Sequence, residues 1–153
     1  NGIDGVCSTA LGAAAAAPGP VVALVGDLAF FHDLSSLVSA TSAERGTCAV
    51  VVVDNGGGGI FDFLPQAEVL DRASFERLFA TPQEHDVVRA AEGLGARTAD
   101  VGTLRELEEA LGAATRVHGV TVVRVRVPSR RENVAVHERV HAAVGEALAG
   151  LGA

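Results

Sequence analysis

Two short polar turns carry the residue types that bind a metal ion and a phosphate group. Asp27 follows the apolar run Val21–Val25, and Asn55 follows a second apolar run, Ala49–Val53. The 26 residues that separate Asp27 from Asp54 suit one helix and one strand, which places both turns at neighbouring strand ends. In an open parallel sheet, ligands bind outside the carboxyl ends of the strands. We therefore expect the two turns to face one ligand.

The residue types in these turns suit magnesium. Mg²⁺ takes about six oxygen ligands at roughly 2.0–2.1 Å. Asp27 offers a carboxylate and Asn55 an amide oxygen, and the side-chain-free loop Gly56–Gly59 can bring a backbone carbonyl close. Each turn alone is also compatible with a helix cap or an ordinary turn. Together they predict a metal ion that holds a diphosphate.

The elements that must position these turns alternate between strands and helices. Val21–Val25 and Ala49–Val53 are apolar on both faces, which predicts central strands of a parallel sheet covered by helices. Arg97–Ala99 reads as a short strand, and Gly119–Val127 alternates Val with Thr or Arg, which is typical of a strand near an edge. The pattern predicts an α/β fold, doubly wound around a mostly parallel sheet with helices on both faces, and we expect it to lack its leading strand.

Helix signals fall between these strands. Thr81-Pro82 and Thr103, with Glu106 three residues later, both resemble helix starts. The expected helices cover residues 6–17, 30–41, 81–92, 103–115 and 132–148, with a short helix at 74–79. In the last helix, Val136, Val140, Val144 and Leu148 form one apolar stripe.

Composition narrows the class of protein. The 153 residues suit a single domain, 1–153, and the chain begins at Asn1 without Met, so we expect a fragment of something longer. A net charge of −7 argues against binding to nucleic acid or to an anionic membrane surface. No apolar run has the roughly 18 residues needed for membrane insertion. Cys7 and Cys48 predict buried thiols in a reducing cytoplasm.

Longer motifs give a specific resemblance. The segments Gly26-Asp27-Leu28 and Asp54-Asn55 resemble the Gly-Asp-Gly and Asn-Asn signature of thiamine diphosphate enzymes, with both metal-ligand positions retained. The amino-acid sequence resembles one family in segments 1–12, 26–34, 57–66 and 75–82. That family is the 2-succinyl-5-enolpyruvyl-6-hydroxy-3-cyclohexene-1-carboxylate (SEPHCHC) synthases of menaquinone biosynthesis. The chain is thus similar to their C-terminal, thiamine-diphosphate-binding domain.

The resemblance implies roles for named residues. Asp27 and Asn55 would bind Mg²⁺ or Mn²⁺ through their side chains, and Gly57 through its carbonyl. Gly26 and Leu28 would approach the diphosphate. Four further cofactor and substrate positions follow: Ile3 would bend the cofactor, Ile60 and Phe61 would contact it, and Phe61 and Leu64 would line the substrate pocket. Ordinary core packing is the alternative for Phe61 and Leu64.

The resemblance also implies an intact three-domain enzyme. Its reaction would be the decarboxylation of 2-oxoglutarate on thiamine diphosphate, followed by addition of the succinyl carbanion to isochorismate. The activating glutamate would lie on the pyrimidine-binding domain of a second subunit, so this chain carries no catalytic residue of its own and would be inactive alone. We expect a cytoplasmic homodimer or homotetramer.

Three alternatives remain open. One is another thiamine diphosphate enzyme, such as a 2-oxoacid decarboxylase or an acetolactate synthase. Another is a non-catalytic doubly wound domain that binds a phosphorylated ligand or a protein. A zinc peptidase is the third, because His137-Glu138-Arg139-Val140-His141 matches H-E-x-x-H, although it lacks a convincing third ligand. His32 could line the pocket or lie on a helix surface; Arg124 and Arg126 are expected in solvent, and Arg130 and Arg131 have no predicted role.

Overall fold

The computed structural model describes residues 2–39 and 46–151. Contacts divide the chain into two compact units, one formed by residues 1–57 and 83–127 and the other by residues 58–82 and 128–153. In chain order the helices are α1 (Val6–Ala16), α2 (Asp27–His32), α3 (Gln66–Val69), α4 (Arg72–Phe75), α5 (Val87–Gly93), α6 (Leu104–Ala114) and α7 (Arg130–Leu151). Leu34–Ser39 and Gly59–Phe63 are 3₁₀ helices, and Glu76–Ala80 is a π-helical turn.

The first unit contains a four-stranded parallel sheet. Its strands are β1 (Val21–Gly26), β2 (Thr47–Asp54), β3 (Arg97–Val101) and β4 (Gly119–Arg126), in the order β1-β2-β4-β3. Every neighbouring pair is parallel. Parallel neighbours need crossover connections, which the helices supply. The predicted mostly parallel α/β sheet is therefore confirmed.

Helices cover both faces of this sheet. On one face, α1 and α5 pack against a core that includes Val50, Val52 and Val122. On the other face, α6 packs against Val51, Val101 and Val123. Successive strand residues point to opposite faces, so the continuous valine run of β2 is buried on both sides. The doubly wound arrangement is confirmed.

The positions of two strands differ from the sequence prediction. β1, predicted to be central, lies at an edge of the described sheet, where Val22 and Leu24 are 51% and 73% exposed. Both side chains lie on the face of the sheet that α6 covers, but α6 packs on β2, β3 and β4. β4, predicted near an edge, lies between β2 and β3. Its polar residues suggested exposure to solvent, whereas Arg124 forms ion pairs with Asp54 and Asp100 near the ends of β2 and β3 and with the cap of α5, Asp86.

Helix starts were predicted with mixed success. The capping box at α6 is confirmed: the Thr103 hydroxyl accepts the Glu106 amide, and the Glu106 carboxylate accepts the Thr103 amide. The start at Thr81 is wrong. Thr81 has a left-handed φ of 38° that ends the preceding turn, and α5 begins at Val87 with Asp86 as its cap.

The helix expected over residues 30–41 is shorter and begins earlier. α2 starts directly at Asp27, and Leu34–Ser39 continues as a 3₁₀ helix. The predicted end at Thr41 lies outside the described residues. The early start matters for the site, because it makes Asp27 the first residue of a helix that begins at the end of β1.

The second unit is built from short helices and α7. Phe75, Phe79 and Phe61 form a small aromatic cluster in which Phe75 stacks on Phe79 and Phe61 meets Phe79 edge-on. The short helix predicted at 74–79 is present as α4 and the following π-helical turn. α7 has 22 residues, none of them buried. Over the described ranges of both units, none of the helices combines the length and apolar character needed to cross a bilayer.

Candidate metal and diphosphate site

Asp27 links the two turns that the sequence placed together. Its side chain is 2% exposed at the end of β1. Oδ1 accepts a hydrogen bond from the Leu28 amide at 2.8 Å, and Oδ2 accepts one from the Gly57 amide at 2.7 Å. The second bond spans from the β1 turn to the β2 turn. The predicted proximity of the two turns is therefore observed.

The environment of the Asp27 carboxylate favours a nearby cation. Burial raises the pKa of Asp27, and the negative charge of Asp54 acts in the same direction. The amides of Leu28 and Gly57 oppose this shift of the pKa by hydrogen-bonding the ionised form. A cation at the carboxylate would stabilise the charged form directly. Burial and the charge of Asp54 thus disfavour the ionised carboxylate, and a bound cation would offset both effects.

Asn55 presents a buried side-chain oxygen without a hydrogen-bond partner among the described residues. Its amide oxygen, Oδ1, is buried and has no hydrogen-bond partner among residues 2–39 and 46–151. A buried acceptor without a partner costs about 1–3 kcal/mol, so native proteins rarely retain one without a reason. A metal ion bound at Oδ1 would remove this cost. The atom that the sequence assigned to the metal is thus among the buried polar atoms that have no hydrogen-bond partner within the described residues.

The loop around Asn55 depends on glycine. Gly56 has φ 77° and Gly57 has φ 132°, conformations that strain residues with a side chain. The Asp54 carboxylate accepts the Gly56 amide at 3.2 Å, and Gly57 is held by Asp27. Hydrogen bonds therefore restrain the two peptide groups that follow Asn55, near the Gly57 carbonyl that is the predicted third protein ligand.

The sequence predicted a solvated Arg124, whereas the structure places its side chain beside the Asp54 turn. It is 23% exposed rather than solvated; its Nε donates to Asp54 Oδ2 at 2.7 Å, and Nη1 lies 3.7 Å from both Asp86 and Asp100. Arg126 is more exposed and pairs with Asp100. The register that places Arg124 beside β2 requires the strand order, which local sequence patterns do not contain.

Three predicted ligand-contacting residues belong to the second unit. Ile60 is 74% exposed, Leu64 is also exposed, and Phe61 is half-buried against Phe79. Core packing therefore does not account for Leu64 among the described residues. Gly58 allows Phe61 its position, because a Cβ at Gly58 would lie 2.7 Å from the Phe61 ring and 2.9 Å from the Phe79 carbonyl oxygen.

Arg130 is the polar residue that the sequence missed in the second unit. It donates to both carboxylate oxygens of Glu76, at 2.8 and 2.6 Å, and its Nη1 lies 3.4 Å from Asp62. Asp62 belongs to the same 3₁₀ helix as Phe61. The start of α7 is thereby tied to the segment that carries the predicted pocket residues. Nothing in the sequence around Arg130 signals this long-range pairing.

The remaining predicted cofactor residues lie at element ends in the first unit. Ile3 is partly exposed just before α1, Gly26 is exposed at the end of β1, and Leu28 is half-buried in α2. The Ser8 amide and hydroxyl both donate to the buried Asp33 carboxylate, which anchors the start of α1. His32 lies half-exposed, 3.6 Å from Asp4.

The H-E-x-x-H segment lies on exposed α7. His137 and His141 have ring centroids 6.2 Å apart, and they line a cavity of about 260 Å³ together with Leu64. Within the described parts of the chain, no three His, Cys, Asp or Glu side chains are grouped to hold a metal ion. The zinc-peptidase alternative therefore gains no support. A shell built on Asp27 and Asn55 would instead need phosphate oxygens and water to complete it.

Comparison with known proteins agrees with this geometry. Residues 6–125 match the family model described as "Thiamine pyrophosphate enzyme, C-terminal TPP binding domain"; thiamine pyrophosphate (TPP) is thiamine diphosphate. In the solved structure of a thiamine diphosphate-dependent 4-hydroxybenzoylformate decarboxylase from Rhodococcus jostii RHA1, a similar fold covers 81% of this chain and 23% of that one. The TM-score is 0.69 and the identity 24%, so this likeness shows the fold alone.

Curated relatives are more similar in sequence. The SEPHCHC synthase of Geobacillus thermodenitrificans is 41% identical over 149 residues, and that of Myxococcus xanthus is 45% identical over 148 residues. Each alignment covers 97% of this chain and 25% of the relative, so the chain spans about a quarter of the length of these enzymes. The resemblance found in the sequence motifs is confirmed. The chain belongs to the family of C-terminal TPP-binding domains of thiamine pyrophosphate enzymes.

Proposed function

We propose that this chain is the domain of a SEPHCHC synthase that anchors the diphosphate of thiamine diphosphate through Mg²⁺. The observation that carries the metal site is the buried, unpartnered Oδ1 of Asn55, in a loop whose Gly57 amide is held by Asp27. The synthase assignment is supported by relatives of that name with 41–45% identity across nearly all of the chain. Mn²⁺ prefers similar oxygen ligands and is the second candidate ion.

Different residues of this chain would contact the metal ion, the cofactor and the substrate. The Asp27 carboxylate, Asn55 Oδ1 and the Gly57 carbonyl would hold the metal ion, and the Gly26–Leu28 turn would lie against the diphosphate. Ile3 would support the bent cofactor, Ile60 and Phe61 would contact it, and Phe61 and Leu64 would border the substrate. Bound thiamine diphosphate supplies the carbanion chemistry for decarboxylating 2-oxoglutarate and adding the product to isochorismate.

The chain would act only as part of a larger assembly. In the proposed enzyme, residues 1–153 form a single cofactor-binding domain, and the activating glutamate comes from the pyrimidine-binding domain of a second subunit. The expected assembly is a homodimer or homotetramer in the cytoplasm; the free, buried thiols of Cys7 and Cys48 are compatible with a reducing compartment. The 153-residue chain alone should give no turnover, and turnover by it would contradict this division of labour.

Metal-dependent stabilisation tests the proposal. The melting temperature of the full-length protein should rise with thiamine diphosphate and Mg²⁺ together, because a ligand at 100 times its Kd adds about 2.7 kcal/mol to the free energy of unfolding. Asp27→Ala should remove the metal-dependent part of the rise. Glu109→Gln, at an exposed ion pair on α6, should retain it. A wild-type protein that shows no metal-dependent rise would refute the metal site.

Substrate turnover tests the synthase assignment separately. Full-length protein with cofactor and metal should release CO₂ from 2-oxoglutarate and form the adduct only when isochorismate is present. Pyruvate and benzoylformate serve as control 2-oxoacids. Preference for either of them would instead support the decarboxylase or acetolactate synthase alternative, with the metal site left intact.

A further inference from the structure

We infer that Arg124 is a positioning residue that, through Asp54, sets the shape of the metal-binding loop. The inference rests on the proposed function, because it concerns the loop that carries Asn55 and Gly57. Arg124 lies on β4, directly opposite Val52 of β2 in the parallel register. The side chain thus reaches the loop from a neighbouring strand, and its hydrogen bond and ion pairs within the described chain are with Asp54, Asp86 and Asp100, none of which is a proposed metal ligand.

Asp54 joins this arginine to the loop backbone. One carboxylate oxygen, Oδ2, accepts Arg124 Nε at 2.7 Å, and the other, Oδ1, accepts the Gly56 amide at 3.2 Å. The carbonyl of Asp54 also accepts the Val127 amide at 3.4 Å. The Asp54 side chain is therefore bound to β4, and its backbone carbonyl is bound to the residue that follows β4. Movement of the carboxylate would break this hydrogen bond to the Gly56 amide.

The restraint continues to the proposed ligands. Gly57 follows Gly56 and donates to Asp27 Oδ2 at 2.7 Å, so carboxylates hold both of the amides that follow Asn55. The Asn55 side chain makes no hydrogen bond through its buried Oδ1 within the described chain, so its position depends on this backbone. Groups that orient metal ligands typically change metal affinity by about 10–100-fold when they are mutated.

The positive charge of Arg124 also helps to hold the Asp54 carboxylate in place. Its guanidinium lies among the carboxylates of Asp54, Asp86 and Asp100. Among the described residues, Asp54 forms an ion pair only with Arg124, whereas Asp100 also pairs with Arg126. Loss of Arg124 would leave the half-buried Asp54 carboxylate without a cation, and such a group is expected to turn towards solvent. That movement would break its hydrogen bond to Gly56.

The design of the test follows from the two roles of Asp54. In Asp54→Asn, the amide oxygen can still accept from Gly56 but no longer needs a cation. The double variant Arg124→Gln/Asp54→Asn should therefore recover most of what Arg124→Gln loses. Arg124→Lys keeps the charge without the rigid guanidinium and should give an intermediate effect. Arg105→Gln, at an exposed pair on α6, is the matched control.

Two measurements on the full-length protein decide the matter. Arg124→Gln should raise the Mg²⁺ concentration that half-saturates thiamine diphosphate binding by about 10–100-fold. Without metal or cofactor, hydrogen exchange of the Gly56 and Gly57 amides should become faster. A merely structural role would lower the melting temperature but leave the Mg²⁺ requirement unchanged.

The outcomes separate this inference from the proposed function. If wild type binds the cofactor in a metal-dependent way and Arg124→Gln has an unchanged or lowered Mg²⁺ requirement, the positioning role is wrong and the metal site stands. If wild type shows no metal dependence, the proposed function itself fails. Should Arg124→Gln not fold, Arg124→Lys carries the comparison. A wild-type Mg²⁺ requirement in Arg124→Lys together with wild-type amide exchange would then overturn the role.

Discussion

The two compact units differ in how they bury apolar side chains. In the first unit, the valines of β2 and β4 are covered by helices on both faces, and Val50, Val52 and Val122 are completely buried. In the second unit, α7 buries none of its residues, and its stripe of Val136, Val140, Val144 and Leu148 is exposed. One unit has a conventional core, whereas the other relies on an aromatic cluster and ion pairs.

This difference shows why the site's polar groups can be rigid. A carboxylate as buried as Asp27 needs a framework that holds its donors in place, and parallel strands packed between helices supply one. The segment with Ile60, Phe61 and Leu64 has no comparable core. Its order depends on a few specific contacts, above all those of Arg130 with Glu76 and Asp62. Substitutions in the two units should therefore act through different physics.

The largest expected effect comes from removing Arg130. In Arg130→Met, Glu76 keeps its pair with Arg72, but Asp62 loses its cation. Removing one partner of a buried ion pair typically lowers the free energy of unfolding by about 3–5 kcal/mol. Because this pair is partly exposed, we expect the free energy of unfolding of the second unit to fall by about 3 kcal/mol. Hydrogen exchange should become faster in Gly59–Phe63 and Glu76–Ala80, with β2 unaffected. Arg131→Met, at the neighbouring exposed position, is the control; an equal effect of both variants would show that Arg130 holds nothing in place.

An identical substitution in the two units sharpens the contrast. Val50→Ala removes buried methyl groups between β2 and its covering helices, and it should lower the free energy of unfolding by about 2 kcal/mol through lost burial and the cavity left behind. Val140→Ala, at a residue 52% exposed on α7, should change it by less than about 0.5 kcal/mol. Denaturant unfolding of the chain measures both. A comparable loss in Val140→Ala would mean that another surface covers the α7 stripe in solution.

The sequence predicted features that depend on local patterns. The valine run of β2 and the capping box at Thr103 are local patterns, and both are confirmed. The proximity of the Asp27 and Asn55 turns was also predictable, because a helix between parallel strands brings their carboxyl ends together. Whether these residues bind metal stays a prediction.

The missed features depend on distant parts of the chain. Arg124 pairs with Asp54 only because β4 lies between β2 and β3, and an alternating strand pattern contains no information about that order. Arg130 meets Glu76 across more than fifty residues of sequence. Thr81-Pro82 failed for a local reason, since the left-handed Thr81 ends one turn instead of starting the next helix.

The smallest expected effect compares two helix caps. α6 begins with Thr103 and Glu106, and α7 begins with a similar pair, in which the Ser129 hydroxyl donates to the Glu132 carboxylate at 2.6 Å and accepts the Glu132 amide at 3.3 Å. Removing such a hydroxyl costs about 1 kcal/mol where helix formation is coupled to folding. α6 packs on the sheet, so that coupling exists there.

Thr103→Ala should therefore lower the free energy of unfolding of the chain by about 1 kcal/mol, and Thr103→Ser should restore most of it, because serine keeps the hydroxyl. Ser129→Ala should leave the unfolding midpoint of the sheet unchanged, since Arg130, in the first turn of α7, pairs with Glu76 and Asp62 of the second unit and not with the sheet. Its effect should be confined to faster hydrogen exchange of the first amides of α7. Equal shifts in the unfolding midpoint would show that α7 folds together with the sheet, and the contrast between the two units would then be one of burial and not of cooperativity.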